Sequence, residues 1–279
     1  MRGLGLLLSF VLLGTVGVLK PAAAQESCRI ERVTYRVEGL QFVGWIMKPA
    51  REGRFPVVVW SHGARFATAG AQIINENTPC LAFLLSKGWM LFFTQTRGYG
   101  ASEGPNPEAA YRQARVAFLN GRADDINGSV EWLRTRSDVN PDCIANTGWS
   151  SGAVTALLAS VKKPALYRAT IAQGPVAIWA PDLDRFVGFG DVIRSARDIR
   201  GPILMQSNTI DEDSFIEVTR VLVRELQRWG RSVESREYTH PSAHQFFNLA
   251  GRPEFAQIWG ADAVAFLERA FAGCSGPRP

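Results

Sequence analysis

The chain has 279 residues, 46% of them hydrophobic and 20% charged, with a formal net charge of +5. That composition fits one large or two small globular domains with a real core and excludes a disordered or fibrous chain. The basic residues are scattered rather than clustered, which argues against a nucleic-acid partner.

Residues 1–24 stand apart from the rest. Arg2 gives a basic start, Leu4 to Val18 is an uncharged apolar run, and Ala22-Ala23-Ala24 places small residues before Gln25. This is the layout of a secretory signal peptide. The apolar run is short for a span of about 20 residues and is broken by Gly14 and Gly17. Cleavage after Ala24 is expected, leaving one domain over 25–279 that is secreted or periplasmic, with no membrane span. Loss of Arg2 and Lys20 lowers the formal charge by two, to +3. Cys28, Cys80, Cys143 and Cys274 remain. An even count in an exported chain predicts disulfides, with all three pairings open. The cysteines lack C-x-x-C spacing, so neither a zinc site nor a redox motif is expected.

After Gln25, strand-like and helix-like segments alternate. Val33–Val37 and Phe42–Met47 read as strands joined at Glu38-Gly39, and Phe55–Trp60 as a β-branched strand of the kind buried on both faces. Pro79–Lys87 reads as a helix, Trp89–Thr94 as a strand, and Asp124–Thr135 as a helix with Ile126, Val130 and Leu133 on one face. Cys143–Thr147 is a strand and Ala153–Ala159 a helix, followed by a strand at Ala169–Gln173 and a loop-rich stretch over Gly174–Gly201. Ile203–Gln206 and Ser232–Tyr238 are strands enclosing a helix over Phe215–Trp229, and a last helix runs from near Pro253 to before Gly273. Alternation of this kind predicts a mostly parallel sheet with helices on both faces and an antiparallel N-terminal edge. Ligands of such sheets sit beyond the carboxyl ends of the strands.

Those ends carry the chemistry. Gly148-Trp149-Ser150-Ser151-Gly152 joins a strand to a helix and has the G-x-S-x-G pattern of a nucleophile elbow. The tight turn strains the serine backbone and presents its hydroxyl at a helix N-terminus. Ser150 is therefore the candidate nucleophile, and the amide of Ser151 a candidate oxyanion donor. The loop after Phe55–Trp60 reads Ser61-His62-Gly63-Ala64-Arg65 and offers the second donor, assigned to Ala64 with Arg65 in reserve. His62 is expected to brace that loop. Of the histidines after Ser150, His244 lies in a loop and is preferred as the base; His240 precedes Pro241 and is expected to be structural. The same proline disfavours a His240/His244 metal pair, so no metal is predicted. The orienting acid is sought after Ile203–Gln206, where Asp211 is preferred over Asp213 and Glu212. Arg65, Trp149 and Trp179 are candidate pocket residues. Asn127-Gly128-Ser129 is a glycosylation sequon placed in a helix, where it is expected to be idle.

With these residues placed, the chain resembles the α/β-hydrolases. Two further runs sharpen the likeness to their dienelactone-hydrolase-like and prolyl-oligopeptidase-like members: Arg97-Gly98-Tyr99-Gly100-Ala101-Ser102-Glu103-Gly104 and the helical Asp125–Leu133. The resemblance covers nearly all of the mature chain. It implies an α/β-hydrolase fold without a large lid domain, a serine hydrolase acting on a small-molecule ester, and no cofactor. A peptidase or amidase, or a silent fold serving as a binding module, are the alternatives. Serine in place of cysteine at 150 departs from true dienelactone hydrolases. Thr96 stands where an aspartate often precedes the arginine.

Overall fold

The structure, a computed structural model, describes residues 28–64, 80–176, 178–180, 185–187, 196–248 and 253–274. The expected signal segment lies outside them. The strands β1 (Cys28–Val37) and β2 (Leu40–Pro49) form a hairpin closed at Glu38-Gly39, whose φ values of 51° and 84° are those a two-residue turn with right-handed twist requires. Next come β3 (Phe55–Ser61), α1 (Ala82–Leu85), β4 (Met90–Gln95), α2 (Pro107–Gln113), α3 (Arg115–Leu133) and β5 (Val139–Trp149). Then follow α4 (Ser151–Lys162), β6 (Ala169–Gln173), β7 (Ile178–Ala180) and β8 (Arg185–Val187). The chain closes with β9 (Ile203–Asn208), α5 (Asp213–Arg228), β10 (Val233–Tyr238) and α6 (Ala256–Ala270).

Eight strands make one sheet in the order β1-β2-β4-β3-β5-β6-β9-β10. The strand β2 pairs antiparallel with both β1 and β4, and every other pairing is parallel. Residues of β3 alternate between two cores, as strand side chains must. Val57 and Val59 join a cluster with Ile126 of α3, Leu157 of α4 and Leu222 of α5. Val58 and Trp60 join one with Leu85 of α1 and Trp259 and Phe266 of α6. Helices thus cover both faces, and the loops after β3, β5, β6 and β9 gather along one edge.

Three elements differ from the sequence expectation. The helix α3 begins at Arg115 rather than Asp124, and α2 precedes it, with Asn106 capping the Ala109 amide at 3.0 Å and Pro107 in the first turn. The stretch after Gly174 contains the antiparallel pair β7–β8. Residues 253–255 form a single 3₁₀ turn before α6. The sequon is closed to modification in the folded chain: Asn127 and Ser129 are buried, and Tyr167 donates to the Asn127 amide oxygen at 2.6 Å.

The cysteines pair Cys28–Cys80 and Cys143–Cys274. The first ties β1 to the start of α1, the second ties β5 to the end of α6. With separations of 52 and 131 residues, loop-closure entropy assigns them about 4 and about 5 kcal/mol.

Asp138, between α3 and β5, accepts from Arg136 at 2.9 Å and from Lys48 at 2.6 Å. Burial pushes its carboxyl up, but these two cations outweigh burial and hold it down at about 2. A carboxyl lowered on folding stabilises the native state above its unfolded value and loses that contribution as pH falls through the native one. Thermal stability is therefore expected to drop between about pH 4 and pH 2, and the drop to be shallower in Asp138→Asn, as melting curves across that range would register.

Candidate active site

The strand β5 delivers Ser150 directly into the first turn of α4. Its φ of 63° and ψ of −129° are a strained combination for a residue with a side chain. The flanking glycines are steric necessities. A Cβ at Gly148 would lie 2.3 Å from the Gly152 carbonyl oxygen, and one at Gly152 would lie 2.2 Å from the oxygen of Ser61. The Ser150 amide donates to the Gln173 carbonyl at 3.0 Å, which fixes the bend against the end of β6.

The loops that carry His244 and Asp211 come together near this bend. His244 Nδ1 and Asp211 Oδ2 are 2.8 Å apart, and the other Asp211 oxygen accepts from the Glu212 amide at 2.9 Å. Because a carboxylate only accepts, Nδ1 carries the proton, leaving a lone pair on Nε2. That Nε2 is buried without a hydrogen-bond partner among the described residues. The imidazole packs between Trp149 and Phe215, with centroids 5.2 and 5.0 Å away. The position of a Cβ on Gly174, the residue after the Ser150 anchor Gln173, is 3.5 Å from the same ring. His244 and Ser150 thus share the neighbours Trp149 and the Gln173-Gly174 turn. Asp213 begins α5, and Asp211 is the carboxylate on the imidazole.

Asn208, the last residue of β9, ties the two loops together. Its amide nitrogen donates to the carbonyls of His240 and Ala243, at 2.8 and 2.9 Å. Its oxygen accepts from the amides of His240 and Ile210. Ala243, just before the base, sits at φ 47°, a bend that these bonds support. His240 stacks on Phe246 at 4.7 Å and accepts from the Ser242 amide, a bracing role.

The loop after β3 also packs against Ser150. A Cβ at Gly63 would be 3.3 Å from Ser150 Cβ and 3.2 Å from the Trp149 ring. His62 Nδ1 donates to the Gly63 carbonyl at 2.7 Å, as expected of a loop brace. The Ala64 carbonyl accepts from the Tyr99 hydroxyl. Ser151 is the first residue of α4, so its amide has no intrahelical acceptor. Arg97 holds the Tyr99 loop by chelating Asp125, at 2.8 and 3.0 Å from Nε to the two oxygens. That carboxylate raises the Arg97 pKa above its ordinary value against the effect of burial.

Of the candidate pocket residues, Arg65 lies outside the described residues, as does the side chain of Trp179 in β7. Trp149 is only 7% exposed, and its indole N–H donates to the His244 carbonyl at 2.8 Å. The ring is packed between the His244 loop and Gly63. Sequence reading missed Arg122, Tyr99 and Asn208 as supports of the site. Arg122 had a usable signal: it falls four residues after Phe118 and four before Ile126, on the buried stripe of α3. Among the described residues no cluster of His, Cys, Asp and Glu could hold a metal, and no helix is long and apolar enough to cross a membrane.

An eight-stranded sheet with one reversed strand, covered on both faces, with a strained serine at the β5–α4 junction, is the α/β-hydrolase fold. The profile of the prolyl oligopeptidase family matches residues 81–185. Among curated relatives, the uncharacterized protein YfhR of Salmonella typhimurium is 28% identical over 134 residues, which are 46% of this chain and 40% of that one. This chain therefore spans about two fifths of the length of the relative it matches. A candidate dienelactone hydrolase from Klebsiella pneumoniae superposes with a TM-score of 0.67 at 14% identity, over 86% of this chain and 98% of that one. Porphyromonas gingivalis dipeptidyl peptidase 4 gives 0.66 at 19% identity, over 86% of this chain and 35% of that one.

Proposed function

We propose that the protein is an exported serine hydrolase that cleaves carboxylic esters through Ser150, His244 and Asp211. The observations that carry this reading are a strained Ser150 and an imidazole that shares its neighbours Trp149 and the Gln173-Gly174 turn and whose Nδ1 is committed to a buried carboxylate. In this mechanism His244 Nε2 takes the hydroxyl proton as Ser150 Oγ attacks the ester carbonyl carbon. The tetrahedral oxyanion is received by the amides of Ser151 and Ala64. Asp211 keeps the imidazole in the required tautomer and stabilises the imidazolium. Collapse expels the alcohol, protonated by His244, and water then repeats the cycle on the acyl-enzyme.

The ester preference is supported by the likeness to a candidate dienelactone hydrolase, named for a cyclic ester and covered almost end to end. The family match and the likeness to a dipeptidyl peptidase support peptide or amide cleavage as the second reading. Export is supported by the layout of residues 1–24 and by the two disulfides.

A fluorophosphonate probe is expected to label wild-type protein at Ser150, and p-nitrophenyl esters to turn over faster than peptide p-nitroanilides. Folded protein that resists the probe would rule out a serine hydrolase, and faster anilide cleavage would favour the peptidase.

A further inference from the structure

Among the described residues, Arg122 is the largest side chain to be fully buried, at 0% exposed. Burial disfavours its charge and lowers its pKa, yet a guanidinium stays protonated inside proteins. The carboxylate whose charge acts on it, Asp125, is already chelated by Arg97. An unpaired buried guanidinium costs several kcal/mol, and an apolar residue of similar volume would suit the stripe of α3 better for stability alone. The hydrogen bonds of Arg122 show what it holds instead. Nη2 donates to the His62 carbonyl at 2.6 Å, Nη1 to the Ser151 hydroxyl at 2.9 Å, and Nε to the Thr96 hydroxyl at 3.1 Å. The guanidinium also lies 5.3 Å from the centroid of Tyr99, the residue that donates to the Ala64 carbonyl.

These contacts close a circuit. His62 uses its Nδ1 proton on Gly63, so Nε2 is an acceptor and takes the Thr96 hydroxyl proton at 3.3 Å. Thr96 in turn accepts from Arg122. A threonine can donate and accept at once, which an aspartate at position 96 could not.

We infer that Arg122 is a positioning residue that clamps the two halves of the oxyanion hole, the His62-Gly63-Ala64 loop and the first turn of α4 at Ser151, at a fixed separation. One planar fork bonded to both halves turns two independent loops into one rigid unit. The inference rests on the serine-hydrolase reading above. A donor displaced by about 1 Å loses most of its value to the transition state while leaving ground-state binding nearly intact.

The test uses Arg122→Met, Arg122→Lys and Ser151→Ala in the full chain, with kcat expressed per site labelled by the fluorophosphonate, so that unfolded protein drops out. Expected values are a fall of about 100-fold for the two Arg122 variants and about tenfold for Ser151→Ala, with KM within about threefold. Affinity for phenylboronic acid, whose tetrahedral adduct needs the same donors, is expected to fall in parallel. Unchanged kcat per labelled site, or lost kcat with undiminished boronate affinity, would overturn the clamp. If Arg122→Met does not fold, Ser151→Ala decides by the same two readouts, since it removes one arm and keeps the guanidinium. Wild-type protein that neither labels nor hydrolyses esters would sink the hydrolase reading and the clamp together. Labelled, active wild type with indifferent variants would sink the clamp alone.

Discussion

Ser150→Ala is expected to lower kcat by about 10⁴- to 10⁶-fold, His244→Ala by a similar factor, and the double variant by little more than either. The reason is that the hydroxyl is a weak nucleophile until the imidazole takes its proton, so each group is of little use without the other. A factor of 10⁴ corresponds to about 5.5 kcal/mol of transition-state stabilisation, more than any binding contact near the site supplies. His244 is held for this task by several bonds: Asp211 on Nδ1, Trp149 on its carbonyl, and Asn208 on the neighbouring Ala243. Steady-state kinetics on a p-nitrophenyl ester would complete the cycle. Losses that add in free energy would mean that the two side chains do not act as a unit. His240→Ala serves as the reference, with kcat within a few-fold of wild type, because its ring stacks on Phe246 away from the pair.

Asp211→Asn is expected to cost about 10⁴-fold in kcat, and Asp213→Asn less than about threefold. The asparagine fits the same space, but its amide can donate to Nδ1. It therefore favours the tautomer that places the proton on Nε2, where a base must have none. Since Asp211 is 9% exposed and bonded at both oxygens, the effect should come from chemistry rather than lost folding. Asp213 sits in the first turn of α5, where a carboxylate complements the helix dipole. Comparing kcat for the two variants at matched folded fraction distinguishes the candidates; equal losses would show that the 2.8 Å contact is not the functional one.

The layered sheet was legible in the sequence because period and composition carry it locally. Val57–Trp60 alternates between two cores and needs no distant partner to be read as a strand. The elbow was legible for the same reason, since the glycines that the turn demands lie within two residues of Ser150. The helix that ends at Leu133 was read only in its last part, because a charged residue on the buried stripe hides the period. Arg122 makes the preceding turns look polar, and its partners Thr96, His62 and Ser151 come from three other segments. The choice between Asp211 and Asp213 was open for a related reason: two carboxylates two residues apart differ only in where the chain turns after β9.

What the residues determine unaided is therefore the alternation of strand and helix, the strained serine, and the chemical kinds of group available to assist it. The disulfide pairing, the contact that singles out Asp211 among three neighbouring carboxylates, and the partners of the buried guanidinium were decided by the tertiary structure. Each depends on groups brought together from separations of 52, 33 and 60 residues, so the partners they meet are not written in the local sequence.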